Sequence, residues 1–284
     1  MIDAWQQITA VGPAALREAA LELHWAAQLV AAAGQTFVEE RADDSHRSMR
    51  WHPGKRALVG VPFAGVYPFR VGVRPEDLTA VLLDASDGTL GALPLGGVTL
   101  DAAHEWLALG LATYLGSAPP EIRRPEYDMP AHIVGEGGRF AQGRDAERRA
   151  VARLYGTASS LLEDLASSRN DASTPICWPH HFDIATLITV DSEHEGDATR
   201  TIGVGMAPMG GGFESWYWYV TPWPYPDAAA LPPLPGPGAW HTEGWTGAVL
   251  SSEMVTSTRE AFRDPMVRKF LDVAVESARA VLGP

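Results

Sequence analysis

An α+β fold built on antiparallel sheet is what this sequence predicts, and three observations carry the prediction. Segments near the start, in the middle and at the end place apolar residues at helical spacing. Short runs rich in Val, Leu and aromatic residues lie between them, and each half of the chain reads helix, several strands, helix.

The spacing predicts a first helix over Ala14 to Ala33. Pro13 opens it at an N1-like position, Leu16, Ala20, Leu23, Ala27 and Val30 form its apolar stripe, and Gly34 is expected to close it. Strands are expected over Arg56 to Phe63, Tyr67 to Val73, Leu78 to Asp84 and Thr89 to Leu93, with Ser86-Asp87-Gly88 as a hairpin turn. Thr99 then caps a helix running to about Leu115. The stretch from Gly116 to Gly143 is rich in Pro and Gly and has no sustained period, so it reads as a connection.

Asp145 begins a third long helix, to about Ser168, with Val151, Leu154, Ala158, Leu161, Leu162 and Leu165 at helical spacing. Four more strands are expected over Phe182 to Val190, Thr201 to Ala207, Ser215 to Thr221 and Trp245 to Leu250. A helix from Asp264-Pro265 to about Leu282 follows. The segment Pro222 to Gly244 holds seven prolines, which favours stiff, extended surface backbone: an irregular connection, a lid or a dimer arm.

The repeated order of elements predicts an internal duplication. Residues 1–116 and 144–284 form the two α+β halves, 117–143 join them, and the halves can share one compact unit. Trp51-His52-Pro53 and Trp178-Pro179-His180 lead into the sheet in the same way in each half.

Composition narrows the function classes. With 35 acidic against 22 basic side chains the net charge is −13, which disfavours nucleic acid and anionic lipid as partners. No segment approaches the roughly 18 consecutive apolar residues of a membrane span, and no signal-peptide pattern opens the chain, so a soluble cytoplasmic protein is expected. The single cysteine, Cys177, excludes an internal disulfide framework. Five of the ten tryptophans fall between Trp216 and Trp245, which marks a dense core, a cavity wall or an interface.

The residues with most chemical content lie in Trp178-Pro179-His180-His181-Phe182-Asp183-Ile184-Ala185. On a strand, His181, Asp183, Ala185 and Leu187 share one face, so an imidazole and a carboxylate stand side by side. Gly203 and Gly205 fall on one face of the next strand and mark room for a ligand or another backbone. Trp216 and Trp218 oppose Tyr217 and Tyr219 on the third, so aromatic walls are available on either side. In the first helix His24 and Gln28 stand at i and i+4 and either hold a backbone carbonyl or face the same cavity. A metal site would have to be assembled from His181, Asp183 and distant residues such as His24 or Glu253, since no H-E-x-x-H or H-x-H spacing occurs. Gly210, Gly211 and Gly212 read as a hairpin loop, and Glu193-His194-Glu195 as a solvated acidic link.

These motifs resemble an uncharacterised bacterial protein family with a strand W-P-x-H-F-D-[LI]-A and a later strand Y-x-Y-V-x-P-W, here Trp178 to Ala185 and Tyr217 to Trp223. The family's Leu-His pair in its first helix corresponds to Leu23-His24, and its acidic third strand position is His180 here. The resemblance marks His181 and Asp183 and implies no particular activity, cofactor or substrate.

The leading expectation is a small-molecule-binding protein whose aromatic-walled pocket lies on the C-terminal sheet, with His181, Asp183, His24, Gln28, Gly203, Gly205, Trp216, Tyr217, Trp218 and Tyr219 as its residues. One alternative is a hydrolase with His181 as general base oriented by Asp183, assisted by a metal; another is a homodimeric scaffold.

Overall fold

Local sequence rules account for most element ends in the computed structural model, which describes residues 4–63, 68–116, 118–191 and 199–283. In chain order the elements are α1 (Ala4–Thr9), α2 (Pro13–Phe37), β1 (Met49–His52), β2 (Ala57–Gly60), β3 (Arg70–Arg74), β4 (Thr79–Leu83), β5 (Thr89–Pro94), α3 (Leu100–Leu115) and α4 (Asp145–Ser167). They continue with β6 (Ile176–Cys177), β7 (Ile184–Thr189), β8 (Thr201–Ala207), β9 (Tyr217–Trp223), β10 (Ala239–His241), β11 (Gly247–Ser251), α5 (Ser252–Ser257) and α6 (Arg263–Leu282). The fold is α+β with antiparallel sheet, and no helix among the described residues is long and apolar enough to cross a membrane. Tyr67, the expected start of β3, and Glu193-His194-Glu195 lie outside the described residues.

Two compact units divide the chain: Ala10–Gly156 with Ile176–Phe182, and Met1–Thr9 with Thr157–Pro175 and Asp183–Pro284. This partition differs from the expected 1–116, 117–143 and 144–284. The joining segment belongs with α2, and the chain start belongs with the C-terminal residues.

In the unit containing α2, the strand order is β6-β1-β2-β3-β4-β5. Helix α2 packs on β2 and β3, and its small residues Ala26, Ala27, Ala31 and Ala32 are fully buried. Gly34 does not end this helix, which runs on to Phe37. An ideal Cβ at Gly34 would lie 2.3 Å from the carbonyl oxygen of His46, so the glycine is there for close packing rather than termination. Thr99 caps α3 as the sequence predicts, its hydroxyl accepting from the Ala102 N–H at 3.2 Å.

In the other unit the order is β10-β11-β9-β8-β7. The register sets Ala185 opposite Gly205, Gly205 opposite Tyr219 and Val249 opposite Tyr219. One face therefore carries Ile202, Val204, Met206, Trp218, Val220 and Leu250, all buried, and α6 packs across β8, β9 and β11 with Val267, Phe270 and Leu271 buried. The opposite face carries glycine, Tyr217 and Tyr219. The Pro-rich segment is partly ordered by a short helical turn at Ala228–Ala230 and by β10, and it leaves Trp223 and Tyr225 about half exposed.

Candidate functional site

Helix α2 positions the first group of polar side chains. Its i, i+4 spacing turns His24 and Gln28 toward residues 176–182, and both reach one acceptor: the His24 Nε2 donates to the Pro179 carbonyl at 2.8 Å, and the Gln28 amide donates to it at 2.9 Å. Tyr127 donates its hydroxyl to Gln28 Oε1 at 2.5 Å. Burial, opposed in part by the Pro179 bond and reinforced by His181 and His180, lowers the His24 pKa to about 4, so the ring is neutral at pH 7. Burial pushes the Tyr127 hydroxyl well above its ordinary range.

The segment after Pro179 is a turn rather than the start of a strand. Phe182 has φ 58°, its N–H donates to the Trp178 carbonyl at 2.7 Å, and β7 begins only at Ile184. The alternation that would place His181 beside Asp183 therefore does not extend to residue 181. Phe182 is fully buried and stacks on the His24 ring at 5.0 Å, while Tyr155 packs on it from 5.0 Å and donates its hydroxyl to the Phe182 carbonyl. Ring packing of this extent holds a side chain at a backbone angle that non-glycine residues rarely adopt.

His180 and His181 project from this turn with ring centroids 4.3 Å apart. Trp178 and Tyr127 approach His180 edge-on at 6.0 and 5.9 Å. Burial and the neighbouring His181 lower the His180 pKa to about 4, whereas His181 itself is exposed. His24, His180 and His181 thus lie in one unit; His24 is buried, His180 half-buried and His181 exposed.

Close to this group lies a cleft of about 570 Å³, whose walls include Gln35, His46, Arg47, Glu121, Arg123 and Glu126. Arg47 belongs to both features. It lines the cleft, pairs with Asp44, and places its guanidinium 5.6 Å from the centre of the Tyr127 ring. The volume falls in the range of small-molecule sites, roughly 300–1,000 Å³. The sequence pattern treats 116–143 as a connection, so Arg123, Glu121, Glu126 and Tyr127 escape it; the only legible signal was the density of charged and aromatic residues in a segment without period.

The aromatic residues of the C-terminal sheet fall into two groups. Trp218 is in the core under α6, and Trp216 packs on Trp5 at 5.8 Å, with the Trp5 indole donating to Asp264 at 2.5 Å. Neither is a wall of an open pocket. On the other face Phe213, Tyr217, Tyr219, His241 and Trp245 pack on one another at 4.4 to 6.4 Å. The expected glycine floor is occupied as well: a Cβ at Gly205 would lie 2.6 Å from the Tyr219 hydroxyl, so Gly205 makes room for the Tyr219 ring. Above Gly203 there is more space, with nothing nearer than 3.9 Å. The Tyr219 hydroxyl donates to the carboxylate of Asp183, which is buried. Burial and then the Asp183 charge raise the Tyr217 pKa to about 12.

Among the described residues, no group of three or more His, Cys, Asp or Glu side chains has an arrangement that could hold a metal ion. His24 is engaged by a backbone carbonyl, and Glu253 lies in the first turn of α5, behind the Ser251 cap. No protein-family model, curated protein or solved structure matches this chain.

Proposed function

We propose that this chain binds a small polar molecule in the cleft beside Arg47 and Tyr127. The observation that carries the reading is the position of Arg47, on the cleft wall and over the ring of Tyr127, whose hydroxyl enters the buried Gln28–Pro179–His24 network. A network with every acceptor engaged holds its members in one arrangement. That is the pre-organisation a binding site needs if it is not to spend affinity on ordering its walls.

In this reading His24 and Gln28 support the site from behind rather than touch the ligand. His180 meets the Tyr127 ring edge-on at 5.9 Å, and His181 packs on His180 at 4.3 Å; neither lines the cleft. The same reading takes the two halves of the chain as products of an internal duplication, supported by the order α2, strands, α3 and then α4, strands, α6.

A thermal-shift screen of charged metabolites against the full chain tests it. A ligand at a hundred times its Kd stabilises by about 2.7 kcal/mol, roughly 5 °C for a chain of this size. Shifts that vanish in both Arg47→Ala and Arg123→Ala support the cleft. Shifts that survive in both variants place binding elsewhere and remove the proposal.

A further inference from the structure

We infer that residues 119–130 form a latched strap whose opening and closing control the cleft, with Tyr127 as the latch. The segment supplies one wall of the cleft, residues 121–126, and the other lining residues come from the end of α2 and the chain just after it. Opening of the strap therefore dissolves the cleft and withdraws the Tyr127 hydroxyl from Gln28. Control of ligand entry rests on the binding reading above; the motion itself stands on the contacts of the segment.

The connection between α3 and α4 has two unlike parts. From residue 132 to 141 it is locked down. Val134 and Phe140 are each 1% exposed, the Gly138 N–H donates to the Ile133 carbonyl at 2.8 Å, and Phe140 shares backbone bonds of 2.8 and 2.9 Å with Gly97 and Val98. A Cβ at Gly135 would come within 2.4 Å of the Trp25 ring, and Ala141 is gripped by Glu22 and Arg148. From 119 to 130 nothing comparable holds the chain. No residue there is buried, no helix or strand forms, and among the described residues none of its N–H or carbonyl groups bonds to another backbone group. A segment with no buried apolar contacts and no backbone ladder opens locally, well below the free energy of global unfolding.

Side-chain links keep the strap closed. Arg123 bonds to Thr36 through its backbone N–H at 2.9 Å and its guanidinium at 3.3 Å, Arg124 pairs with Asp101 at 2.6 Å, and the Trp25 indole donates to the Pro130 carbonyl at 3.1 Å. These bonds are exposed, so water replaces them with little loss. Tyr127 differs from them. Its ring is half-buried, meeting the Arg47 guanidinium and the His180 ring, and its hydroxyl donates to Gln28, which is 6% exposed. Losing that donor leaves a buried carboxamide oxygen unmet until the strap has moved far enough to admit water, and this sets how rarely the strap opens.

The test is limited trypsin digestion of the full chain without ligand, in urea from zero to well below the unfolding midpoint. Trypsin passes over the Arg124-Pro125 bond, so the strap is cut after Arg123. Arg139 is the control, because it too is exposed but belongs to the locked part. The expected result is cleavage after Arg123 with the bond after Arg139 intact, at a rate nearly flat across low urea and about tenfold faster in Tyr127→Phe. Resistance at Arg123, or cleavage there that climbs steeply with urea alongside cleavage after Arg139, would mean that only global unfolding frees the segment and would overturn the strap. An unchanged rate in folded Tyr127→Phe would overturn Tyr127 as the latch. The wild-type pattern tests the motion whether or not that variant folds. Because no ligand is used, a strap that stays shut leaves binding in the cleft to the thermal-shift screen, and a screen without hits leaves the digestion pattern as it is.

Discussion

The hydroxyl of Tyr219 donates to the carboxylate of Asp183, bridging β9 to the residue that leads into β7 across the glycine at position 205. Strand β8 lies between these two elements, so the phenol spans a neighbour that has no side chain to block it. The bond is charge-assisted when Asp183 is ionised, and such bonds contribute about 1.5–3 kcal/mol. Tyr219→Phe is expected to lower the unfolding free energy by that order in urea denaturation; an unchanged midpoint would mean that solvent replaces the hydroxyl without loss.

The same carboxylate raises the pKa of Tyr217, after burial, to about 12. Asp183→Asn removes the charge and leaves the burial, so Tyr217 is expected to ionise at lower pH but still above the ordinary tyrosine value near 10. Ultraviolet titration of tyrosinate in the folded protein reads this directly. No movement of the Tyr217 titration, assigned by its loss in Tyr217→Phe, would show that burial alone sets it.

Gly205→Ala adds a Cβ 2.6 Å from the Tyr219 hydroxyl and 2.7 Å from the Ile184 carbonyl oxygen. Overpacking of this kind costs about 1–3 kcal/mol, and the backbone oxygen cannot swing aside. Tyr219→Phe in the same chain removes the hydroxyl contact and leaves the Ile184 contact. The double variant is therefore expected to be less stable than Tyr219→Phe alone, and equal stability of the two would show that the hydroxyl was the sole obstacle.

Glu22 and Arg148 form a buried pair at 3.0 Å that also grips Ala141, whose N–H donates to Glu22 at 2.5 Å and whose carbonyl accepts from Arg148 at 2.7 Å. Breaking such a pair from one side costs about 3–5 kcal/mol, because the remaining charge stays buried and alone. Arg148→Met is expected to fall in that range by chemical denaturation. Glu22→Leu/Arg148→Met is expected to cost less than the sum of the two single changes, a coupling that a double-mutant cycle measures.

His24 makes stability depend on pH. Its pKa is about 4 in the folded chain and near 6.5 when unfolded, so the unfolded state takes up the proton first as the pH falls. The stabilisation is complete above pH 6.5 and is lost between pH 6.5 and 4, by about 3 kcal/mol at most. His24→Gln keeps a donor for Pro179 and removes the titration. The gap between wild type and variant should narrow across that window, and a gap constant from pH 7 to 4 would exclude His24 as its source.

Periodic segments were the legible part of the fold. The cap at Thr99, the run 201–207 and the helix from Asp145 all follow from local rules, because in each the residues that set the geometry are neighbours in sequence. Gly34 misleads because its reason is the His46 carbonyl pressed against it, twelve positions away. Phe182 misleads because a left-handed φ is not written in a phenylalanine; it is imposed by the rings of His24 and Tyr155. The pairing of His24 with Gln28 was legible as a polar face of a helix. Their common acceptor, the Pro179 carbonyl, was not, since a backbone oxygen leaves no mark in composition. The cleft was hidden for a related reason: its walls come from a segment whose charged residues follow no period.

The two donors from α2 that converge on the Pro179 carbonyl also bear on how tolerance to substitution will look along this chain. Imidazole and carboxamide side chains at positions 24 and 28 hold a loop in place, yet a saturation-mutagenesis survey scored on folded yield would find both positions as restrictive as a reaction centre. A survey scored separately for abundance and for ligand retention would split the two kinds of intolerance. Positions 24 and 28 would fail in both columns, and the cleft residue Arg123 only in the second.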